Sequence, residues 1–500
     1  MTIKYYILCV IFLSSYLQLA WLVNPGFRTA ITEKGFEYIV QVGLPILEAQ
    51  LNNIKIPDQH GDYHSPIGKI HWDLTDIHMG SITIPKAAIK TGTAGLTVSA
   101  SGISLSGGGA HWHYKTNVIF PISDSGSADI GTSGTSLSVT VKIGKDAKGH
   151  ATLSSSACQF SIGSLSIHFH GGASWLYNLF DSEIESAIKS SLNGQICEQA
   201  TQAINTQGNK ALESLPVQVN IDETALVDYS IVQDPIFTTQ YMETEHKGEF
   251  FSRTKPHEAS ISPVVLPGVG SPTRMLYIWL TTYIANTAGI VYDEAGELKT
   301  TITPDEVPSS IPIKLNTASF KVIIPALYNK YPNMNMTLLL QATTPPVMTV
   351  NPKGVNVTVF GDVDVCVYDS KNNNKITPAF NLSVIVYTNI SLSVKEEGNT
   401  PYVIGKANFI GAKFSLTYSS IGNFDAKLLQ GAVNFLCQAY VIKELNKYGA
   451  AGLEIPLIDG VQLINPEIKF GTGYITIDTD INYKPSEEIR ARTDEVEIVI

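Results

Sequence analysis

The sequence predicts an α+β protein made of two similar halves, and three observations lead to this fold class. Helix-like segments flank long stretches of short alternating strands, and this order occurs twice along the chain. A segment with four prolines, Phe250–Arg274, separates the two occurrences. Cys197 precedes Pro216 by 19 residues, and Cys437 precedes Pro456 by the same 19. We therefore predict two helix–sheet–helix halves joined by a Pro-rich linker.

Residues 1–23 are predicted to be a secretory signal peptide. Lys4 precedes an apolar run from Ile7 to about Leu22. The alternative is a single transmembrane anchor, because the run is close to the length that spans a bilayer. We favour secretion because the run lies at the extreme N-terminus and a region with the pattern of a folded protein follows at once. Cleavage is expected near Ala20 or Asn24.

Two helices are predicted to flank the strands of the N-terminal half. The first lies within Thr32–Pro57, with Pro45 expected to bend it, and its apolar stripe consists of Phe36, Ile39, Val40, Leu44, Leu47 and Leu51. From Ile70 to about Phe169, short alternating runs indicate antiparallel strands. The second helix covers residues 174–204, and its apolar line consists of Leu176, Phe180, Ile184, Ile188, Leu192 and Ile196. Such a line usually packs on a sheet, but in a lipid-binding protein it can line a cavity.

The second half repeats this order. A helix-like segment, Ala318–Tyr331, is followed by strands and by a long helix, Ala426–Gly449. The segments "LTVSASGISLS" (96–106) and "MTVNPKGVNVTV" (348–359) share a strand–glycine–strand rhythm, which suggests duplication. The predicted boundaries are 24–245 for the N-terminal half, 246–275 for the linker, 276–486 for the C-terminal half and 487–500 for a tail.

The composition limits the classes of partner. The chain of 500 residues is 44% hydrophobic and 16% charged, with a formal net charge of -11. A negative chain lacks the basic footprint that nucleic-acid binding needs. It is also unsuited to simple electrostatic capture by anionic membranes. We expect neither a nucleic-acid partner nor an oligomer, and predict a monomer.

The sequence carries no catalytic or metal-binding motif that predicts an enzyme. The chain contains no GxSxG elbow of a lipase and no HExxH motif. The stretch "GKDAKGH" (144–150) has Walker-like glycine spacing but ends in His where Lys is required, so it indicates a hairpin. No cysteine has the spacing of a zinc site. The sequence therefore predicts no catalytic residues, no metal and no cofactor.

The cysteines and sequons fit an extracellular protein. Outside the predicted signal, four cysteines remain, an even number that favours disulfides in an oxidising compartment: Cys158, Cys197, Cys366 and Cys437. Four N-x-S/T sequons lie in the C-terminal half and are predicted glycosylation sites, although sequons also arise by chance: Asn335, Asn356, Asn381 and Asn389.

Histidine is concentrated in the N-terminal half, around the stretch "GGGAHWHYKT" (107–116). Nine of the 11 histidines lie between His60 and His170. The pairs His111/His113 and His168/His170 are two residues apart, so on strands each pair points to one side. Three interpretations stay open: surface histidines without a role, a tip that becomes positive at acid pH, and a zinc or copper site.

The chain resembles the family of bactericidal/permeability-increasing protein and lipopolysaccharide-binding protein. The resemblance rests on an ordered set of fragments from Asn24 to about Tyr483, among them "NPGFRTAITEKGFEY", "NNIKIPD", "WLYNLFDSEIESAIKSSLNGQICEQ", "IANTAGIVYDEAGELKTTI" and "SSIGNFDAKLLQ". It implies a boomerang-shaped molecule in which two barrel-like halves, each a twisted antiparallel sheet with a long helix, meet at a central sheet. It also implies a disulfide between Cys158 and Cys197, whereas the pairing of Cys366 and Cys437 stays open.

The resemblance further implies lipid sites. Each half would hold the acyl chains of a bound phospholipid in an apolar pocket. We expect the pocket of the N-terminal half to be lined by Phe36, Val40, Leu44, Leu47, Phe180, Ile184 and Ile188. The stretch 107–116 would be a hairpin tip that meets lipopolysaccharide or a membrane, with the contact residues Lys69, Trp72, His111, Trp112, His113, Tyr114, Lys115 and Trp175. We expect the aromatic rings there to be exposed at the lipid interface.

This tip departs from the strongly basic pattern of antibacterial members. Residues 24–235 contain 12 Lys and Arg against 19 Asp and Glu, so steering towards a bacterial surface should be weak. The expected function is that of a secreted innate-immune protein. It would bind lipopolysaccharide of the Gram-negative outer membrane, hold phospholipid in its pockets, and be antibacterial or endotoxin-neutralising. The alternative is an extracellular lipid-transfer protein of the same family, which needs only the cavity.

Overall fold

The computed structural model describes residues 24–51, 55–65, 68–78, 80–117, 121–171, 181–213, 215–307, 314–369, 375–398, 400–458 and 460–484. The helices are α1 (Glu33–Leu51), α2 (Asp181–Gln202), α3 (Asn209–Glu213), α4 (Thr282–Glu294), α5 (Pro325–Lys330), α6 (Gln430–Leu436) and α7 (Ile442–Ala451). One π-helical segment, Ala203–Gly208, joins α2 to α3, and another, Cys437–Val441, joins α6 to α7. Short 3₁₀ helices cover Pro304–Glu306 and Ala426–Leu429.

The strands form four antiparallel sheets. In chain order they are β1 (Phe27–Thr32), β2 (Lys55–Ile56), β3 (Gln59–Ser65), β4 (Gly68–His78), β5 (Ser81–Thr83), β6 (Lys86–Gly92), β7 (Gly95–Asn117), β8 (Ser123–Lys145), β9 (Ala151–Ser161), β10 (Ser164–His170), β11 (Gln218–Asn220), β12 (Ala225–Asp228), β13 (Ile236–Phe237), β14 (Tyr241–His246), β15 (Glu249–Ser252), β16 (Leu276–Thr281), β17 (Lys299–Ile302), β18 (Asn335–Ala342), β19 (Val347–Asn351), β20 (Gly354–Asp369), β21 (Lys375–Glu397), β22 (Thr400–Ser419), β23 (Leu453–Glu454), β24 (Val461–Phe470) and β25 (Tyr474–Tyr483). A small sheet of β11, β12 and β15 accompanies the three larger ones.

The N-terminal half is a curled sheet built from β2–β10. Its long strands β7 and β8 pair along most of their 23 residues each. On these strands apolar and polar residues alternate, so one face is apolar and turns inward. The inward face packs Ile70, Leu74 and Ile130 against Ile184 and Ile188 of α2. Helix α2 therefore closes the concave side of the sheet.

The C-terminal half has the same construction, with a sheet of β17–β23. Strands β20, β21 and β22 form its long central part. Their inward residues Val365, Leu382 and Val384 belong to one buried cluster with Leu429 and Val433 of the helical segment 426–451. Each half is thus a half-barrel with a helix across its concave face.

A central six-stranded sheet joins the halves in the order β13-β14-β1-β16-β25-β24. Strands β1 and β16 are antiparallel neighbours, with Thr29 opposite Ile278 at the middle of the pairing. Each of these strands leads directly into a helix, β1 into α1 and β16 into α4. This strand–helix unit is the visible mark of the internal duplication.

The predicted α+β fold with two half-barrels and a central sheet is confirmed, and two local predictions need correction. Only residues 325–330 of the predicted helix Ala318–Tyr331 are α-helical, because Pro325 can only begin a helix there. The helix equivalent to α1 is instead α4. The segments 96–106 and 348–359 are not equivalent either. The first lies within β7, whereas the second turns between β19 and β20 at Gly354, whose φ of 137° favours glycine.

The disulfide implied by the resemblance is confirmed. Cys158 of β9 and Cys197 of α2 are bonded, with a Cα–Cα distance of 5.6 Å. The bond ties the helix to the sheet whose concave face it covers. Cys366 and Cys437, whose pairing was open, are both free and buried.

Candidate lipid-binding sites

The C-terminal half contains an apolar cavity of about 670 Å³ between its sheet and its helices. The sheet side consists of aliphatic residues from three strands: Leu338, Leu340, Val363, Val365, Leu382, Val384 and Val386. The helical side consists of Val433, Leu436, Cys437 and Val441. This volume lies within the range of small-molecule sites, roughly 300–1,000 Å³. The lining matches the chemistry of hydrocarbon chains.

Exposed polar residues lie where this cavity meets solvent. Lys299, Lys314 and Lys443 all line it and are exposed, and so are Glu297 and Glu444. Cations and carboxylates therefore occur together beside an apolar interior. This combination suits an amphipathic ligand whose polar end stays near water.

The thiol of Cys437 faces the same cavity. It is 4% exposed, and burial raises its pKa to about 11. Since the thiolate is the reactive form, this cysteine reacts slowly with electrophiles at neutral pH. It acts there as a small apolar part of the wall.

In the N-terminal half, the predicted tip residues separate into two faces of one sheet. Strands β4 and β7 pair so that Trp72 lies opposite Tyr114, and Leu74 opposite Trp112. Trp72, Trp112 and Tyr114 are only 5%, 5% and 3% exposed and belong to the buried cluster with Ile184 and Ile188. The predicted exposure of these rings is therefore wrong, because period-two alternation turns them into the half-barrel.

The buried rings are also fixed by specific contacts. The Trp112 Nε1–H donates to the backbone oxygen of Ser127 at 2.8 Å, and its ring stacks on Tyr114 at a centroid distance of 6.1 Å. Burial raises the pKa of the Tyr114 phenol. The packing of these rings stabilises the inner face of the sheet.

The remaining described tip residues face outward. Lys69, His111, His113 and Lys115 are exposed. Lys69 Nζ lies 2.8 Å from Asp62, and His113 Nδ1 lies 3.3 Å from Asp73. Hydrogen bonds from Lys69 and His71 hold the pKa of the Asp62 carboxyl below its usual range. Cations and carboxylates are thus interleaved on this face, in place of a uniformly basic tip.

The predicted N-terminal pocket residues do not gather at one place. Ile184 and Ile188 lie in the cluster with the tip aromatics, whereas Leu44 packs against Ile82, Ile84 and Leu105. Phe36 is buried and Val40 half-buried, both on α1. Nothing is described of the Leu47 side chain, and Phe180 and Trp175 lie outside the described residues.

The sequons lie on strands of the C-terminal sheet. Asn335, Asn356, Asn381 and Asn389 are all half-buried. Asn356 faces Asn389 across β20 and β21. The Asn381 amide donates to Asp364 at 2.8 Å. Their glycosylation stays a prediction.

The resemblance implied a pocket in each half, but the sequence did not predict which residues line the cavity of the C-terminal half. Its walls come from strands far apart in sequence, and a signal existed only in the alternating apolar residues of β21, "LSVIVY" (382–387). Among the described residues, no group of three or more His, Cys, Asp or Glu side chains has the geometry of a metal site. No described helix is both long and apolar enough to cross a membrane.

Comparisons with known proteins agree with this architecture. The family description "LBP / BPI / CETP family, N-terminal domain" matches residues 35–213, and the corresponding C-terminal domain matches residues 219–483. A crystal structure of lipopolysaccharide binding protein superposes with a TM-score of 0.61 at 26% identity, covering 92% of this chain and 100% of that chain.

Full-length relatives give the same assignment. The bactericidal permeability-increasing protein of Sebastes schlegelii is 31% identical over 480 residues, covering 95% of this chain and 99% of that protein. The lipopolysaccharide-binding protein of Homo sapiens is 30% identical over 92% of this chain and 94% of its own length. The phospholipid transfer protein of Mus musculus is 24% identical over 92% of this chain and 90% of its own length. The chain therefore belongs to the LBP / BPI / CETP family, whose members bind or transfer lipids and are not enzymes.

Proposed function

We propose that this chain is a secreted lipid-binding protein of innate defence. In this proposal it holds phospholipid acyl chains in the C-terminal cavity and binds lipopolysaccharide of Gram-negative bacteria with the N-terminal half. The observation that carries the proposal is the cavity of about 670 Å³, whose walls are aliphatic and whose mouth is polar. Lipopolysaccharide as a ligand is supported by relatives named for that activity. Residues 1–23 would direct secretion.

Contact with lipopolysaccharide is assigned to the outward face of the N-terminal sheet. Lys69, Lys115, His111 and His113 are the exposed members of the predicted tip. The buried rings of Trp72 and Trp112 hold the strands that carry them. The action would be sequestration of the lipid or perturbation of the outer membrane, with no bond broken.

Lipid transfer is the second candidate, and the charge distribution favours it. Lys69 is paired with Asp62, and five aspartates lie on or beside the face that carries Lys69 and Lys115. A carrier needs only the cavity, whereas attack on a bacterial surface gains from a cationic tip. A relative named as a phospholipid transfer protein supports the same reading.

Phospholipid binding is tested with a substitution that reduces the volume of the cavity. Val384→Trp places an indole in the cavity wall, whereas Ile385→Trp on the next residue puts the same ring on the outer face of β21. Lipid that copurifies with the secreted protein is measured by extraction and mass spectrometry. We expect V384W to lose most of it and I385W to keep it. Equal lipid content in both variants would remove the cavity as the site.

The test of lipopolysaccharide binding compares two surfaces. Binding to lipopolysaccharide micelles and to phosphatidylcholine vesicles is measured at low and high salt. Preferential, salt-sensitive binding to lipopolysaccharide supports the defence function. Equal, salt-insensitive uptake, together with movement of labelled phospholipid between vesicles, supports the carrier.

A further inference from the structure

Eight of the 11 histidines lie on one exposed surface of the N-terminal sheet. This histidine face consists of the outward residues of β3, β4, β7 and β10, with β8 between β7 and β10. Its histidines are all exposed: His60, His64, His71, His78, His111, His113, His168 and His170. For the four with contacts to carboxylates, the side-chain exposure is 48–68%. The face is therefore open to solvent and to anything that docks there.

Strand register makes this face continuous. Across β4 and β7, His71 lies opposite Lys115 and Asp73 opposite His113. Across β7, β8 and β10, Ser127 lies between His111 and His170. Because neighbouring strands are about 4.8 Å apart, the side chains form one lattice across five strands.

The charged groups facing these histidines are few. Two lysines with described side chains, Lys69 and Lys115, stand among them, and Lys55 lies opposite His78 in the pairing of β2 with β4. The carboxylates are Asp62, Asp73 and Asp129 on the face, with Asp58 and Asp76 at its edge. The outward positions of β8 around Asp129 are otherwise serines, at 123, 125 and 127. Among the described side chains, two cations thus stand against five carboxylates when the histidines are neutral.

Contacts between histidines and aspartates are close but exposed. His170 Nε2 lies 2.8 Å from Asp129, and His71 Nδ1 lies 3.0 Å from Asp62. His111 Nε2 lies 3.7 Å from Asp76. Exposed ion pairs of this kind contribute little to folding, because solvent screens the charges. Stability alone therefore does not explain the concentration of histidine on this face.

The net charge of the face depends on how many of its histidines carry a proton. Histidine is the side chain that ordinarily changes charge between pH 5 and 8. When all eight are protonated, ten cations stand against the same five carboxylates. A net charge of about three negative thus becomes about five positive, from the formal charges of these residues. The inner face of the same strands is packed with Ile70, Trp72 and Leu74, so the lattice is held on a rigid support.

We propose that the histidine face is a proton-gated docking surface for anionic phospholipid bilayers. At neutral pH the net charge of the face is negative and it binds such a bilayer weakly, with Lys69 and Lys115 left to contact individual phosphates. At acid pH the face is positive and complements the phosphates of the whole bilayer surface. The occupant is identified by this charge complementarity, and its lipid class rests on the proposed function. Such a gate would restrict docking to acidic compartments or acidified tissue.

The test measures binding to vesicles of phosphatidylglycerol and phosphatidylcholine at pH 5.5 and 7.5, with a chelator present to exclude metal bridging. Each basic group near an anionic surface strengthens binding to it, so we expect at least tenfold tighter binding at pH 5.5. The variant H111Q/H113Q/H168Q/H170Q keeps polar side chains but cannot titrate there, and should lose most of this difference. His257→Gln is the control, because His257 is an exposed histidine of the Pro-rich segment, outside the histidine face, and is paired with Glu294 at 2.8 Å.

Equal binding of the unmodified protein at both pH values would overturn the proposal, and so would an unchanged pH response in the quadruple variant. Pure phosphatidylcholine vesicles should show no pH response; an equal response there would also overturn it. Circular dichroism at pH 5.5 establishes that each variant is folded. The variant V384W distinguishes failure of this proposal from failure of the proposed phospholipid site in the cavity. It should lose bound phospholipid and keep pH-dependent docking.

Discussion

The guanidinium of Arg28 lies over the indole of Trp279, with 4.2 Å between its Cζ and the ring centroid. The two residues face each other across β1 and β16, the strands that join the halves. Arg28 Nη1 also lies 3.4 Å from Glu243 of β14, and Nη2 donates to the backbone oxygen of Pro267. One buried cation thus connects three strands of the central sheet and the Pro-rich segment.

Replacing this arginine should weaken the central sheet strongly. Arg28→Met leaves the Glu243 carboxylate buried without its partner, and we expect a loss of about 3–5 kcal/mol in the free energy of unfolding. The measurement is urea denaturation. Arg274→Met is the control, because its pair with Asp480 is partly exposed and should contribute about 1 kcal/mol or less. Equal losses in the two variants would contradict the prediction.

Loss of the disulfide should destabilise the N-terminal half. The double variant C158S/C197S frees a loop with a sequence separation of 39 residues. We expect the free energy of unfolding to fall by about 2–4 kcal/mol. Cys366→Ala, which removes a buried thiol but no cross-link, should cost about 1 kcal/mol. A denaturation midpoint of the double variant equal to that of C366A would show that the bond contributes nothing.

Cys437 should report on occupancy of the cavity. With its pKa raised to about 11, its thiolate fraction at pH 7.5 is roughly 300-fold below that of an ordinary cysteine of pKa about 8.5. We expect slow alkylation by N-ethylmaleimide, faster after bound lipid is removed, as followed by intact-mass spectrometry. Cys366 is also buried but does not line the cavity, so its rate should not respond to lipid. A lipid effect on both cysteines would indicate general loosening.

His246 should make the protein less stable in acid. Burial lowers its pKa to about 4, although its Nδ1 lies 2.8 Å from the Tyr229 carbonyl oxygen. Between pH 4 and about 6.5 the unfolded chain binds this proton and the folded protein does not, so stability falls as pH falls through this window. From pH 7 to 5 this histidine should account for about 2 kcal/mol.

The variant His246→Gln isolates this effect. Glutamine can still donate to the Tyr229 carbonyl but does not titrate. We expect the difference in unfolding free energy between pH 7 and pH 5 to shrink by about 2 kcal/mol in this variant. An unchanged difference would contradict the prediction. The buried carboxyl groups Glu243 and Glu249 cannot replace His246 as the cause, because burial raises their pKa values and the folded protein therefore gains stability from them as pH falls.

Local hydrophobic periodicity predicted the elements whose apolar residues are regularly spaced along the chain. The spacing of Phe36, Val40 and Leu44 predicted α1, which spans Glu33–Leu51. Helix α4 was not predicted as a helix, since Thr282, Thr287 and Gly289 have low helical propensity and burial decides its conformation. Its buried face includes Ile284 and Val291.

The candidate sites were less accessible to sequence reasoning. "AHWHYKT" was interpreted as an exposed cluster, although its alternation of Trp112 and Tyr114 with His111 and His113 is the period of a strand with one buried face. The cavity depends on how far the C-terminal sheet curls away from its helices. That distance is set by long-range packing, which no window of sequence contains.

The pairing of β1 with β16 has a consequence for any fragment of this chain. An N-terminal fragment that ends between residues 252 and 276 lacks β16 and therefore has an open strand edge along Phe27–Thr32. An unpaired edge recruits another strand. Because the two strands meet antiparallel about Thr29 and Ile278, a second copy of β1 can take the place of β16 by a simple twofold rotation. N-terminal fragments of this protein that lack β16 should therefore self-associate.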